Sequence, residues 1–287
     1  MPVIDFRFRP HTRQTLETLA NSPIFRQGLL QSGRDLDAFI ASAKTMAEIA
    51  DELTAADFLR AVIVGRDAET TYQFKPNHDE IIPFLQNYPH LFIGFAGLDP
   101  HKGMAAVYQL DDLVKNYGFQ GAAIDPLYAQ IRANHERYYP IYAKCCELDI
   151  PIIITTGLSP SSPGVTMDSA APIYIDAVAR DFPMLKIILS HGGYPWVGEA
   201  IGLALRNPNV YLELSECETQ PLAGAYIEAA NGALQDKILF ASAHPFFHYQ
   251  DGLALYKRLP FREDVREKIL WQNAARLLAI SPKEQIQ

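Results

Sequence analysis

Eight short apolar runs, each followed by a segment with helical spacing, constrain this chain more than any other feature. The runs are Val3–Pro10, Arg60–Val64, Leu91–Ala96, Gly118–Asp125, Ile150–Thr156, Leu185–His191, Val210–Ser215 and Lys237–Ser242. Between the later ones lie helical patterns over Asn77–Gln86, Met104–Asn116, Tyr138–Leu148, Ala171–Asp181, Trp196–Arg206 and Ala223–Leu234. Two closing helices are expected at Gly252–Arg258 and Arg262–Leu278. Near-continuous apolar strands alternating with helices belong to a parallel sheet covered on both faces. Eight such units favour a closed (β/α)8 barrel, which uses roughly 250 residues as one domain. The 287 residues are therefore read as a single domain, 1–287. No glycine-rich fingerprint follows the first strand, so an open dinucleotide-binding sheet loses its main support.

The first strand carries the most unusual residues. Period-two alternation puts Ile4, Phe6 and Phe8 on one face and Asp5, Arg7 and Arg9 on the other, with Pro10 ending the strand. The connection that follows, His11 to about Ala56, reads as ordered helical structure. It holds helices over Thr12–Ala20 and Asp35–Leu53, the first capped by Thr12.

Charge and cysteine usage exclude several function classes. The net charge of −8 argues against a nucleic-acid partner, because phosphate contacts need a basic face. Two arginines in a cleft of an acidic protein instead suggest local capture of a small anion. No apolar run reaches the ~18 residues of a membrane span, and no signal-peptide pattern opens the chain. Three cysteines, two of them adjacent (Cys145 and Cys146), make no disulfide framework and suit a reducing cytoplasm. Nothing in the sequence excludes a homo-oligomer.

Barrel enzymes place their chemistry at the carboxyl ends of the strands. Here those ends offer Arg7 and Arg9, Asp125, Thr155 and Thr156, His191, Glu213 and Ser215, and Ala243 with His244. Glu213 lies inside its strand, where a carboxylate needs a partner, and a strand-one arginine is the natural candidate. Asp125 precedes Pro126 and is equally readable as a turn residue. His248 is read as surface, Tyr138, Tyr139 and Tyr142 as helix packing, and Cys217 as a loop thiol blunted by Glu216 and Glu218.

Leu189-Ser190-His191-Gly192-Gly193-Tyr194-Pro195-Trp196 resembles the strand-six signature of the amidohydrolase-related family. Asn207–Ser215 resembles its strand seven, Ile238–Phe246 its strand eight, and Ile269–Leu278 its closing helix. The resemblance covers almost the whole chain. It points to the branch that includes aminocarboxymuconate-semialdehyde decarboxylase and the dicarboxylate lactonases. It implies a (β/α)8 fold and, for the family, a divalent metal held by a His-x-His pair on strand one, a strand-five histidine and a strand-eight aspartate. Those positions are Arg7 and Arg9, Thr155, and Ala243 in this chain, and only the strand-six histidine, His191, remains. Arginine has no lone pair to give a metal, so the family's usual site is expected to be absent.

The expectation is a metal-independent, cofactor-free hydrolase or decarboxylase acting on a small carboxylated substrate. Arg7, Arg9, Thr155 and Glu213 would bind that substrate, with His191, Asp125 and His244 as the proton-moving and orienting groups. Two alternatives stand beside it. One is a non-catalytic barrel that binds an anion or a partner. The other is an enzyme with a relocated metal held by Asp125, His191, Glu213 and His244.

Overall fold

The computed structural model describes residues 1–157 and 165–280. Its sheet has eight parallel strands in sequential order. They are β1 (Val3–Phe8), β2 (Phe58–Val64), β3 (Phe92–Gly97), β4 (Gly121–Ile124), β5 (Ile152–Thr155), β6 (Ile187–Ser190), β7 (Val210–Glu213) and β8 (Ile238–Leu239). The ring is joined across its seam by the Phe6 amide donating to the Phe240 carbonyl at 2.9 Å, and by the Arg9 amide donating to His244 at 3.0 Å. Among the described residues, no helix is long and apolar enough to cross a membrane.

Two apolar layers follow from the strand pattern. Ile4, Phe6, Val62, Phe95, Ile153 and Ile188 fill the barrel interior, and residues of alternate parity pack outward against the helices. Phe6 meets Phe95 edge-on, with centroids 5.7 Å apart. Such contacts account for the bulky inward residues, while Gly94 and Gly121 stay small because a Cβ there would meet Leu85 and Phe95.

The expected alternation of β1 fails at its carboxyl end. Ile4 and Phe6 face inward, but Phe8 joins the outer layer with Val3. The register with β2 shifts between Asp5 and Phe8, and this irregularity is what brings Arg7 and Arg9 to the barrel mouth. Strict alternation would have sent both arginines toward the helices.

The connection after β1 contains more helices than its pattern suggests. Thr12 caps Arg13–Asn21 as expected, accepting from the Thr15 amide at 3.2 Å. The single helix expected over Asp35–Leu53 is two, Leu36–Ala41 and Met46–Ala55. Thr45 and Glu48 form a reciprocal capping box that starts the second afresh. A further helix, Arg26–Gln31, precedes them. Strands four to eight are shorter than their apolar runs, trimmed mainly at the start in β4, β5 and β6 and at the mouth end in β7 and β8.

Candidate active site

A cavity of about 790 Å³ opens at the carboxyl ends of the strands, within the range of roughly 300–1,000 Å³ usual for small-molecule sites. Arg7, Arg9, Arg66, Thr155 and His191 form its floor, and Phe25, Leu29, Tyr128 and Phe246 give it apolar walls. Arg34, Phe39 and Lys44 reach it from the connection after β1, so that insertion builds one side of the site.

The two strand-one arginines have different environments. Arg7 is 2 % exposed, and its Nη1 lies 3.7 Å from Glu213 Oε1. Glu213 is fully enclosed, accepting from the Ser190 hydroxyl, the His191 amide at 3.2 Å and the Ser215 amide at 2.9 Å. Burial pushes its carboxyl up, but Arg7, His191 and the two serines more than offset this and hold it below the ordinary value. Arg7 is thus the buried counter-ion of Glu213, although its Nε and Nη1 have no hydrogen-bond partner among the described residues.

Arg9 is also buried and lines the cavity, yet it forms no ion pair among the described residues. Its guanidinium lies 5.8 Å from the Phe246 ring centre. Burial, with Arg7 and Arg66 nearby, pulls its pKa well below the ordinary value. A desolvated cation in a cavity wall is a place where an anion is stabilised.

Asp125 serves neither strand-one arginine. It is gripped bidentately by Arg66, Nε to Oδ2 and Nη2 to Oδ1, both at 2.9 Å. Arg66 also lies over Phe25 and Tyr128, 4.9 and 4.8 Å from their ring centres. Its backbone bends into the mouth across Gly97, where a Cβ would come within 2.2 Å of the Arg66 nitrogen. Sequence reasoning missed Arg66. The available signal was a charged residue two positions beyond the apolar stretch Ala61–Val64, with a glycine ending the neighbouring strand.

His191 follows β6 in a left-handed conformation (φ 57°) that Gly192 and Gly193 continue. Its Nδ1 lies 2.9 Å from the Ser215 carbonyl oxygen, which can only accept, so Nδ1 carries the proton and Nε2 keeps its lone pair. Burial and Arg7 lower its pKa, so the ring is neutral at neutral pH. Neither Asp125 nor His244 hydrogen-bonds to it among the described residues; the orienting contact comes from Ser215.

His244 instead places Nε2 at 2.7 Å from His11 Nδ1 and stacks on Phe8 with centroids 5.0 Å apart. Burial pushes both imidazoles down, His11 to about 4. His11 is a second residue that the sequence reading did not single out. Thr155 ends β5 beside Asp125, and its hydroxyl helps to hold that carboxylate ionised. His248 is exposed and caps the helix Tyr249–Arg258. Cys217 is buried and donates to the His191 carbonyl at 3.2 Å. Tyr138 and Tyr142 are packed rings, as expected.

A family model described as amidohydrolase matches residues 30–280. The chain belongs to the amidohydrolase family. A solved TIM-barrel protein from Bordetella bronchiseptica is 27 % identical, with TM-score 0.80 and full coverage of both chains. Gamma-resorcylate decarboxylase from a Polaromonas species is 25 % identical over 262 residues, 71 % of this chain and 75 % of that protein. A dihydroxybenzoic acid decarboxylase from Polaromonas, solved with manganese and 2-nitroresorcinol, shares the fold at TM-score 0.70. It is 18 % identical over 99 % of each chain.

The residues of this site do not fit such a metal. Among the described residues, no group of three or more histidines, cysteines or carboxylates is placed to hold one. The expected relocated set does not converge either. Asp125 is committed to Arg66, Glu213 to Arg7 and its three hydrogen bonds, and His244 to His11. At the strand-eight position Ala243 brings no donor, and Arg7 and Arg9 add positive charge where a cation would sit.

Proposed function

We propose that this amidohydrolase-family chain is an enzyme that works without a resident metal. It binds the carboxylate of a small organic acid at Arg9 and moves a proton with neutral His191. The observation that carries this reading is Arg9, a buried guanidinium on the wall of an aromatic-lined cavity that forms no ion pair among the described residues. Arg7 and Arg66 supply positive potential around it while remaining paired to Glu213 and Asp125.

The reaction this geometry supports best is hydrolysis of a carboxylated lactone or ester. His191 Nε2 takes a proton from a water as the water oxygen bonds to the acyl carbon. The carbonyl electron pair moves onto its oxygen, in the field of Arg7. Collapse breaks the acyl carbon–oxygen bond, and the imidazolium returns its proton to the leaving oxygen. The finer branch suggested by the sequence, that of the lactonases, belongs to this proposal.

The decarboxylases among the relatives favour a second reading. There His191 Nε2 first takes a proton from a substrate hydroxyl. The bond to the carboxylate carbon then breaks as carbon dioxide leaves, its electron pair stays on the substrate carbon, and that carbon takes the proton back from the imidazolium. A non-catalytic anion-binding barrel is the remaining alternative. The acidic net charge and the cysteine usage fit a cytoplasmic enzyme for a small acid, with or without self-association.

Turnover of carboxylated lactones and hydroxybenzoates, read by acid release and by carbon dioxide release, separates these readings. Lactone hydrolysis lost in both Arg9→Met and His191→Asn is expected. Carboxylate binding that needs Arg9 without turnover would identify the binding barrel. Neither turnover nor Arg9-dependent binding would end the proposal.

A further inference from the structure

Glu216 lies just past β7 in a left-handed conformation, φ 70°, and is half-buried on the cavity wall. His191 (φ 57°) and Ala243 (φ 56°) adopt the same conformation beyond β6 and β8. Such backbone is costly for residues other than glycine, and it recurs where side chains are aimed into a site. The Glu216 carboxylate shares the cavity with Arg9, Arg34 and Arg66, and its charge acts on all three and on His191. Even so, among the described residues it makes no ion pair and its side-chain oxygens accept no hydrogen bond. Its acceptor positions are open to whatever occupies the cavity.

The charges around that space nearly cancel. Arg7 is paired with Glu213, Arg66 with Asp125 and Lys44 with Glu52. His11, His191 and His244 are all pushed toward neutrality. Asp251 is exposed at the rim, where water screens it. Arg34 donates to the Pro245 carbonyl at 3.4 Å and to that of Phe246, contacts that do not neutralise it. Two guanidiniums, Arg9 and Arg34, thus face one carboxylate, leaving one net positive charge. A monoanion balances it, whereas a dianion brings a second carboxylate into a space that already holds Glu216. A neutral donor on the ligand satisfies Glu216 without disturbing that balance.

We infer that Glu216 determines specificity in this cavity by accepting a hydrogen bond from a substrate hydroxyl, selecting hydroxylated monocarboxylic acids over dicarboxylic acids. This rests on the proposed carboxylate site at Arg9 and names its substrate class.

The test is calorimetric binding of benzoate, its three monohydroxy isomers and the three benzenedicarboxylates to wild type, Glu216→Gln, Glu216→Ala and Arg9→Met. In wild type at least one hydroxy isomer binds about tenfold or more tighter than benzoate, the scale of a hydrogen bond to a charged group. Glu216→Ala removes most of that preference. The isosteric Glu216→Gln, which preserves the fold, tightens dicarboxylate binding about tenfold. An unchanged hydroxyl preference in Glu216→Ala, or dicarboxylates matching the best hydroxy isomer in wild type, overturns the inference. Benzoate binding indifferent to Arg9→Met, or no binding of any probe, overturns the carboxylate site as well. A hydroxyl preference that ignores Glu216, while benzoate binding still needs Arg9, overturns this inference alone.

Discussion

Replacing Arg7 with methionine leaves Glu213 buried without its counter-ion, and the cost follows from the geometry. At 3.7 Å and an effective dielectric near 20, the pair attracts by about 4.5 kcal/mol. Glu213 keeps its bonds from Ser190, His191 and Ser215, so about 3 kcal/mol is expected, the lower end for breaking a buried pair. The unfolding entropy of a 287-residue chain is roughly 0.6 kcal/mol/K, which makes the loss about 5 °C in Tm. Arg9→Met removes a buried charge that has no ion-pair partner among the described residues, and its Tm should stay level or rise. The deficit of Arg7→Met also depends on pH. In wild type, Arg7 helps hold Glu213 below its ordinary pKa, so the pair's stabilisation is present above the unfolded value and fades in acid. Without Arg7, burial dominates and raises that pKa, so the variant's deficit should shrink from pH 8 toward pH 5 as Glu213 takes up a proton. Arg7→Met/Glu213→Gln should recover much of the loss. Scanning calorimetry of the four proteins at both pH values is the assay. Equal deficits for Arg7→Met and Arg9→Met, or a deficit that grows in acid, would refute the division of roles.

Asp5 has its pKa raised to about 6 by burial, against hydrogen bonds from Ser242 and the Arg7 amide. Its contribution is full below the unfolded value of 3.8 and is lost as pH rises through 6, roughly 3 kcal/mol in all; denaturant melts should show that fall in wild type and not in Asp5→Asn. The lowered His191 pKa predicts a base that stays neutral on acidification. Turnover should therefore hold level from pH 8 to below pH 6.5 before falling, and His191→Asn should lose about a hundredfold or more without a matching loss of Tm. Burial and Glu218 push the Cys217 thiol up, so the native protein should resist iodoacetamide at that position by peptide mass mapping.

The eight-unit barrel was legible in the sequence because strand and helix periods are local. Apolar runs buried on both faces can be recognised without knowing their partners. Thr12 as a helix cap and Glu213 as a carboxylate needing a strand-one arginine were legible for the same reason: each is a local demand of the backbone or of burial. The misfit of Arg7, Arg9, Thr155 and Ala243 to a metal was likewise a matter of residue chemistry. The tertiary structure decided how the charges were shared out. The register shift in β1 turned both arginines into the mouth, and no alternation pattern encodes a shift set by pairing with β2. Asp125 went to Arg66, which lies 59 positions away in sequence and reaches it only because Gly97 lets the backbone pass. Ser215, rather than an acidic side chain, fixed the His191 tautomer through a backbone carbonyl, which residue identity does not reveal. Composition and periodicity determine which residues must be buried and in what elements. Which buried charge answers which, and which is left facing the ligand, is settled only when distant strand ends meet around one cavity.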